Sequence, residues 1–417
     1  MKYILAMTFP QQNLNLGLEP SILTVVPDDT DDVEVKYILN QYDSTYRDDQ
    51  VVWFACSIYI TGMDDFIEWA EHHDKNKIIC GGYEPTINPE EFLPYCHKVI
   101  TGPCDSFYES IAQPGNIVSG ITRNWRIPRY DLYDVHLNQQ IIPDKQPDDV
   151  VTSINTSQGC PFRCDFCCSP LMCDHILQKP LSLVQEEINY LSRFGAKFIF
   201  IRDENFPLQR DWKEKLAIIS QLGAKIYLFA SSNLCTEENV RYMKKCGVYM
   251  VCLGLEDITV SYGKNRDLDR TCALFHKYGI YVYLSFIVDP IKVNSKKKSN
   301  TFYARLLSRF HDLNPEMVCG NFLMPFRGTE IWERYKHLVS RADFKSYDSK
   351  SAFLEKNPDL RRWDEYNLYH YQWVWYNSDY YNQNIRKFAI EDTLHLRFLE
   401  LKEVFDESGL YQWQPEA

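Results

Sequence analysis

The stretch SQGCPFRCDFCCSP, residues 157–170, decides how this sequence is interpreted, because it holds four of the chain's fourteen cysteines. It follows VVTSINT, a β-branched run that predicts a strand. Cys160, Cys164 and Cys167 have C-x3-C-x2-C spacing, and Cys168 is left over. Thiolates bind iron–sulfur clusters, and such short spacing lets one loop surround a cubane at little closure cost. Three thiolates leave the fourth iron open for a non-protein ligand, as catalytic zinc sites leave one position open.

Zinc is the alternative metal for the same loop. A zinc site calls for a second C-x2-C pair or for paired histidines, and His175 is the nearest histidine. The C-x3-C spacing is poor for zinc, and chance clustering of the cysteines is the third interpretation. The spacing therefore favours a cluster whose ligands are Cys160, Cys164 and Cys167.

Composition limits the classes of protein to consider. A chain of 417 residues with 45% hydrophobic content fits two or three domains with packed cores. The sequence shows no apolar run of membrane-spanning length and no cleavable signal, so the cysteines are expected to be reduced thiols in the cytoplasm. The net charge of −12 argues against a surface that binds DNA. We expect a cytoplasmic protein with no membrane and no DNA partner.

Strand-like and helix-like segments alternate in two blocks, which predicts an α/β fold class. The first block indicates a Rossmann-like domain over residues 1–115, with Gly81 and Gly82 at a strand end. An irregular linker is expected over 116–150. Six β/α units over 151–335 predict a partial or full barrel with its chemistry at the carboxyl ends of the strands. Residues 336–417 are aromatic-rich and predict helices packed on the barrel or over its mouth.

The cysteine loop resembles a known signature. GCPFRCDFC, residues 159–167, is similar to the signature of the radical S-adenosylmethionine (radical SAM) superfamily, including an aromatic residue, Phe166, before the third cysteine. The resemblance implies a 4Fe–4S cluster whose open iron chelates the methionine part of SAM. One electron from the cluster then cleaves the sulfonium to a 5′-deoxyadenosyl radical, which abstracts hydrogen from a substrate. It also implies an electron donor such as flavodoxin or ferredoxin.

Later segments extend this resemblance in the same order as in the superfamily. KFIFIRDENF resembles its second barrel strand, LFASSN and YMVCLGLED resemble the strands that lead to a G-x-E end, and LMPFRGTEIW resembles its P-x-x-G-T turn. FIVDPIKVN departs from the glycine-rich turn of many relatives, which suggests a different substrate. The resemblance implies these cofactor-binding residues: Phe166, Asp203, Glu204, Ser231, Gly254, Glu256 and Pro325.

The first domain resembles the cobalamin-binding-type domain that precedes many radical SAM barrels. KIICGGYEPT, HKVITGPCDSFYES and the linker WRIPRYDL carry the likeness. The D-x-H-x-x-G motif, which supplies a histidine to cobalt, is missing. We therefore expect the fold to be kept, with the missing motif arguing against cobalamin as a cofactor.

Four functions are considered. The first is hydrogen abstraction from a peptide or other natural product, with epimerisation as one case, in which a thiol such as Cys319 or Cys235 returns a hydrogen. A role as buried core cysteine is the alternative for both residues. The second is a cobalamin-dependent C-methyltransferase. A methylthiotransferase or maturase with a second cluster is third, and it is weakened because no cysteine follows Cys319. A non-enzymatic iron–sulfur or zinc-binding module is the last.

Overall fold

Two parallel six-stranded sheets organise the chain, one in each of the two blocks where strands and helices alternate. We analysed the protein as a computed structural model. It describes residues 2–9, 21–38, 45–122, 125–133, 149–260, 262–347, 367–368, 370–372, 374–376 and 378–384. No helix within these ranges is long and apolar enough to cross a membrane. The expected α/β fold class is confirmed, with a Rossmann-like sheet followed by a half-barrel.

The N-terminal sheet has the strand order β2-β1-β3-β4-β5-β6, and all of its neighbours are parallel. Its strands are β1 (Lys2–Phe9), β2 (Val33–Ile38), β3 (Val51–Ile58), β4 (Ile78–Gly81), β5 (Lys98–Thr101) and β6 (Ile117–Ser119). The sheet thus extends past residue 115, because β6 lies within the predicted linker. From β1 the chain places β2 on one side and β3 to β6 on the other. Ligands of such sheets bind at the carboxyl ends of the strands, beside the position where the strand order changes side.

Short helices cover the N-terminal sheet. They are α1 (Ile22–Val25), α2 (Met63–Ala70), α3 (Tyr83–Ile87) and α4 (Phe107–Ile111). Helix α2 buries Phe66 and Trp69 on one face, and both rings pack against Phe9 of β1, with centroid distances of 5.5 and 5.6 Å. Burial of such rings stabilises the packing of the helix on the sheet.

The second sheet has the order β14-β13-β12-β11-β10-β7, so its strands follow one another along the chain and curve into the half-barrel. Its strands are β7 (Val151–Ile154), β10 (Phe198–Ile201), β11 (Lys225–Ala230), β12 (Val248–Glu256), β13 (Tyr281–Val288) and β14 (Met317–Phe322). A separate ribbon pairs β8 (Ser157–Gln158) with β9 (Leu177–Gln178). All neighbours in the sheet are parallel, which places their carboxyl ends at one rim.

Helices pack on the outer face of the half-barrel. They are α6 (Leu181–Leu191), α7 (Trp212–Ile219), α8 (Glu237–Lys245), α9 (Leu268–Lys277) and α10 (Lys296–Leu313). Two shorter helices lie beside the cysteine loop, α5 (Ser169–Met172) and α11 (Glu330–Tyr335). Helix α6 is followed by one 3-10 turn and by Gly195 in the left-handed conformation, as the glycine at its end predicts. The other face of the sheet carries a separate cluster that includes Phe200, Tyr227 and Cys252.

In the C-terminal region, the described residues between 367 and 376 pack along the edge strand β14. Trp375 is fully buried against Phe310 of α10. The hydroxyl of Tyr376 accepts from the Val318 amide at 2.7 Å, and the side-chain oxygen of Gln372 accepts from the Gly320 amide at 3.2 Å. These side chains accept hydrogen bonds from backbone N–H groups of β14. An edge strand has no neighbouring strand on its outer side to accept them.

Candidate active site at the cysteine loop

The cysteine loop leaves the carboxyl end of β7 and passes through β8 before it reaches α5. Cys160, Cys164 and Cys167 are half-buried free thiols. The amide of Cys160 donates to the Cys173 carbonyl at 3.1 Å. Gly159 has φ +92°, and a Cβ there would lie 2.1 Å from the His175 carbonyl oxygen. This position therefore requires glycine, because any side chain would push the first cysteine away from its neighbours.

The three thiols influence one another electrostatically. Burial is the main cause that raises the pKa of Cys160 and of Cys164, and Cys167 raises both further. Among the described residues, no group of three His, Cys, Asp or Glu side chains is arranged to hold a single metal ion. A cubane needs a different arrangement, since each of its thiolates binds a separate iron. The spacing, the partial exposure and the proximity of the thiols fit such a cluster.

Asp203, at the end of β10, anchors the segment that leads into the loop. Its side chain is fully buried and accepts from the amides of Thr156 at 2.7 Å and Ser157 at 3.1 Å. Its other carboxylate oxygen accepts from the Thr156 hydroxyl at 2.6 Å and from the Ser157 hydroxyl at 2.9 Å. The same oxygen accepts from the side-chain amide of Gln209 at 2.6 Å. The resemblance implies that Asp203 binds cofactor, and this stays a prediction; its hydrogen bonds to Thr156 and Ser157 give it a structural role. Asp203 positions the cysteine loop.

Glu204 and Ser231, two further residues implied by the resemblance, lie at neighbouring strand ends. Glu204 is an exposed residue, but burial raises the pKa of its carboxyl group, which in turn raises the pKa of Cys160 and of Cys173 after the larger effect of burial on those thiols. Ser231 follows β11, and its hydroxyl accepts from the Asn205 side-chain amide at 2.8 Å. Glu204 is thus directed at the cysteine loop, whereas Ser231 joins the ends of β10 and β11.

Gly254 and Glu256 form a β-bulge at the end of β12. The register with β13 skips one residue between them, and Glu256 has φ +58°, which is unusual for a residue with a side chain. The bulge turns the Glu256 carboxylate back across Gly254, where a Cβ would lie 2.1 Å from Oε1. The G-x-E pattern is therefore explained locally, because the glycine leaves the space that the glutamate occupies.

Lys264 is a site residue that the sequence analysis missed. Its ammonium lies 2.6 Å from Glu256 Oε1 and 5.6 Å from the centre of the Phe166 ring. Its charge lowers the pKa of Cys160 and of Cys164 against the larger effect of burial. No motif marks this lysine, which lies in the single 3-10 turn Gly263–Asn265. The turn is held to the barrel because the Ser232 hydroxyl donates to the Lys264 carbonyl at 2.9 Å.

Phe166 lies beside the cysteines and is held by the same segment. Its ring makes an edge contact with Tyr262 at a centroid distance of 5.4 Å. The Tyr262 hydroxyl donates to Asp165 at 3.3 Å, and the Ile331 amide of α11 donates to the Asp165 carbonyl at 3.1 Å. The loop is therefore fixed from two sides, by the turn after β12 and by the start of α11.

The P-x-x-G-T turn joins the two domains. The guanidinium of Arg327 donates to buried Glu84 at 2.9 Å and to Glu91 at 2.7 Å. The Pro325 carbonyl accepts from the Tyr347 hydroxyl at 3.3 Å. A Cβ on Gly328 would lie 3.0 Å from Leu171 of α5, so the turn also touches the cysteine loop. Pro325 was predicted to bind cofactor, and the structure places it in this junction.

Cys235 and Cys319 lie in different environments. Cys235 is fully buried and donates to the Ser231 carbonyl at 3.4 Å, and burial raises the pKa of its thiol to about 12. Cys319 is half-buried on β14, where it influences the pKa of Tyr283 and of Cys252. Only Cys319 of the two is thus partly accessible, and it belongs to the face of the sheet that carries the aromatic cluster.

A cavity of about 150 Å³ lies between the two domains. The N-terminal sheet contributes small residues at the ends of β3, β4 and β5: Ser57, Gly81, Gly82 and Gly102. The half-barrel contributes Asn155, Gln158, Lys179 and Arg202. Lys179 is buried and forms an ion pair with Glu187, which also accepts from the Tyr130 hydroxyl at 2.6 Å. The cavity occupies the position where ligands of such sheets bind and faces the strand ends that hold the cysteine loop.

Solved structures share this two-domain fold. The radical S-adenosylmethionine methyltransferase TsrM from Kitasatospora setae, solved with cobalamin and a [4Fe–4S] cluster bound, aligns with a TM-score of 0.54 and 15% identity over 82% of this chain and 79% of its own. The cobalamin-dependent S-adenosylmethionine radical enzyme OxsB aligns with a TM-score of 0.54 and 12% identity, over 87% of this chain and 63% of its own. At these identities the likeness establishes the fold.

Relatives of known activity are similar in sequence. Bacteriochlorophyllide d C-12(1)-methyltransferase of Chlorobaculum tepidum is 23% identical over 306 residues, which are 67% of this chain and 64% of the relative. The C-8(2)-methyltransferase of the same organism is 22% identical over 320 residues, 67% of each chain. The chain thus spans somewhat less than two thirds of the first relative.

The model of the Radical SAM superfamily matches residues 154–295. This range begins at the end of β7 and includes the three cysteines, Asp203, the Gly254–Glu256 bulge and Lys264. The resemblance drawn from the cysteine spacing is confirmed over residues 154–295, which match the radical SAM superfamily.

Proposed function

We propose that this protein is a cobalamin-dependent radical SAM methyltransferase. The single observation that carries the proposal is the interdomain cavity, because it joins the carboxyl ends of a Rossmann-like sheet to the strand ends that position the cysteine loop. The sequence similarity to two methyltransferases supports it further. The sequence alone places this function second, after hydrogen abstraction from a peptide or other natural product.

The cavity wall leaves the strand ends of the N-terminal sheet open to a ligand. Gly81 and Gly102 leave the ends of β4 and β5 open, since a Cβ on Gly102 would have only the Met172 carbonyl within 4 Å, at 3.8 Å. Ser57 adds a small side chain, and Trp125 adds an aromatic surface. The missing D-x-H-x-x-G motif means that a bound corrinoid would take no cobalt ligand from that motif. When bound, cobalamin supplies a cobalt that carries a methyl group.

Radical SAM proteins bind a 4Fe–4S cluster and SAM, and the residues of the loop fit both. In the proposed enzyme, Cys160, Cys164 and Cys167 hold the cluster, and Phe166 and Glu256 border the space next to it. Asp203 fixes the start of the loop, and Asp165 fixes its centre. These contacts hold the ligands without exposing them fully, which limits access of water to reactive intermediates.

The proposal that Cys319 or Cys235 returns a hydrogen in an epimerase has less support. Cys235 is buried and directed at a backbone carbonyl. A peptide or natural-product substrate and a flavodoxin or ferredoxin donor stay as proposals. Incubation of candidate substrates in deuterated water separates the two activities, because an epimerase leaves deuterium at the inverted carbon and a methyltransferase adds a methyl group.

Corrinoid retention tests the proposed cofactor directly. Hydroxocobalamin is added to the protein, which is then desalted, and corrinoid absorbance is measured per chain. We expect about one corrinoid per wild-type chain. The Thr24→Trp variant, which fills the cavity from α1, is expected to retain far less. Tyr108→Trp is the matched control, because Tyr108 is 45% exposed and does not line the cavity. Wild-type protein that retains no corrinoid would contradict the proposal.

A further inference from the structure

The ion pair between Lys264 and Glu256 lies against the cysteine loop. The ammonium and carboxylate are 2.6 Å apart, and the side chains are only 22% and 9% exposed. Lys264 also lies over the ring of Phe166, the residue between the second and third cysteines. Charges that are this well shielded from water act on their surroundings more strongly than surface charges do.

The geometry of both partners is fixed by the fold. Glu256 is held by the bulge and by its left-handed backbone, and Lys264 is held by the hydrogen bond from Ser232 to its carbonyl. The pair therefore keeps its orientation beside the cysteine loop, with the ammonium of Lys264 over the ring of Phe166. A flexible surface lysine would not give a constant field at the loop.

We propose that Lys264 sets the reduction potential of the cluster, with Glu256 as its opposing charge. Reduction adds one electron, and therefore one negative charge, to the cluster held by the three cysteines. A nearby ammonium stabilises the reduced form and raises the potential, whereas a nearby carboxylate lowers it. The inference depends on the cluster and not on cobalamin or on the methyl acceptor.

The test is a redox titration of the reconstituted protein without SAM, followed by the EPR signal of the reduced cluster. All variants are compared at the potential where the wild-type cluster is half reduced. There, the ratio of reduced to oxidised cluster in Lys264→Met should be at least tenfold lower than in wild type. A tenfold change in this ratio corresponds to a reduction potential lower by about 59 mV for one electron. Lys264→Arg should stay within threefold of wild type. Glu256→Gln should shift the ratio the opposite way, towards the reduced form.

The opposite signs distinguish an electrostatic role from a structural one, because loosening of the loop would move both variants in the same direction. Lys292→Met is the matched control. Lys292 forms an ion pair with Asp257, the residue after Glu256, at the same distance of 2.6 Å, and its side chain is more exposed than that of Lys264. An unchanged ratio in Lys264→Met, or shifts of the same sign in both variants, overturns the proposal. If Lys264→Met loses its iron, Glu256→Gln decides: a shift towards the reduced form upholds it, and any other result overturns it.

Discussion

The carboxylate of Glu256 occupies the space that a side chain on residue 254 would take. A Cβ on Gly254 would lie 2.1 Å from Glu256 Oε1 and 2.7 Å from its carboxyl carbon. The absence of a side chain on Gly254 therefore provides the space, and the carboxylate of Glu256 fills it. Glu256 reaches this position with φ +58°. This relationship predicts what happens when the glycine is replaced.

Gly254→Ala should displace the Glu256 carboxylate from Lys264 and leave the fold intact, because the clash is with the end of a flexible side chain. If Glu256 borders the SAM site as proposed, the Kd for SAM should rise about tenfold, or 1.4 kcal/mol. Anaerobic equilibrium dialysis measures it. Gly263→Ala is the control, since a Cβ there has nothing within 4 Å. Equal affinities in both variants would contradict the role of the bulge.

Replacing single cysteines should separate cluster ligands from other thiols. Cys164→Ala is expected to lose the broad brown absorbance and most of the four irons after anaerobic reconstitution. Cys168→Ala should keep them, because burial raises the pKa of Cys168 to about 12 and the spacing assigns it no iron. Iron content and absorbance per chain decide the result. A Cys164→Ala protein that still binds four irons and cleaves SAM under dithionite would remove the basis of the cluster assignment.

Asp203→Ala should destabilise the protein by about 3 kcal/mol, because two buried amides and two hydroxyls lose their acceptor. The cysteine loop should also lose its anchor, so iron incorporation should fall. Urea unfolding under reducing conditions measures the first effect. Glu204→Gln, at the adjacent exposed residue, keeps a side-chain oxygen and should change the free energy of unfolding by less than about 0.5 kcal/mol. Similar stabilities in both variants would show that Asp203 is not the anchor.

The contact between the domains should depend on Arg327 far more than on Arg341. Arg327→Met leaves the fully buried Glu84 without its partner, and removal of one partner of a buried pair costs about 3 kcal/mol or more. Arg341 also pairs with Glu91, but its side chain is 47% exposed, so Arg341→Met should cost less than about 1 kcal/mol. The free energies of unfolding of the two variants, measured side by side, test this ranking.

Cys235 should resist alkylation in the folded protein. With a pKa of about 12, only roughly 10⁻⁴ of this thiol is ionised at pH 8. Folding raises the pKa of Cys235. The free energy of unfolding should therefore decrease as the pH rises from the pKa of this thiol in the unfolded chain towards its folded pKa of about 12. Iodoacetamide at pH 8 followed by peptide mass spectrometry should find Cys235 modified only after denaturation. Rapid modification of the native protein would restore Cys235 as a candidate hydrogen donor.

Much of this protein was predictable from short stretches of sequence. The spacing of Cys160, Cys164 and Cys167, the β-branched runs and the glycines after helices are encoded within a few residues, and local geometry follows from them directly. The six strands of the half-barrel and the Rossmann-like sheet were therefore predicted correctly, and the assignment of the three cysteines to a cluster stays a prediction.

The roles of Asp203, Lys264 and Arg327 were decided only by the tertiary structure. The sequence placed Asp203 at a strand end, and the register of β10 beside β7 brings its carboxylate to the backbone of Thr156 and Ser157. Lys264 has no motif, and Arg327 meets Glu84 from 243 residues away. Sequence spacing determines contacts within one loop. Contacts between loops depend on how strands are ordered and domains are packed, which separate segments do not encode.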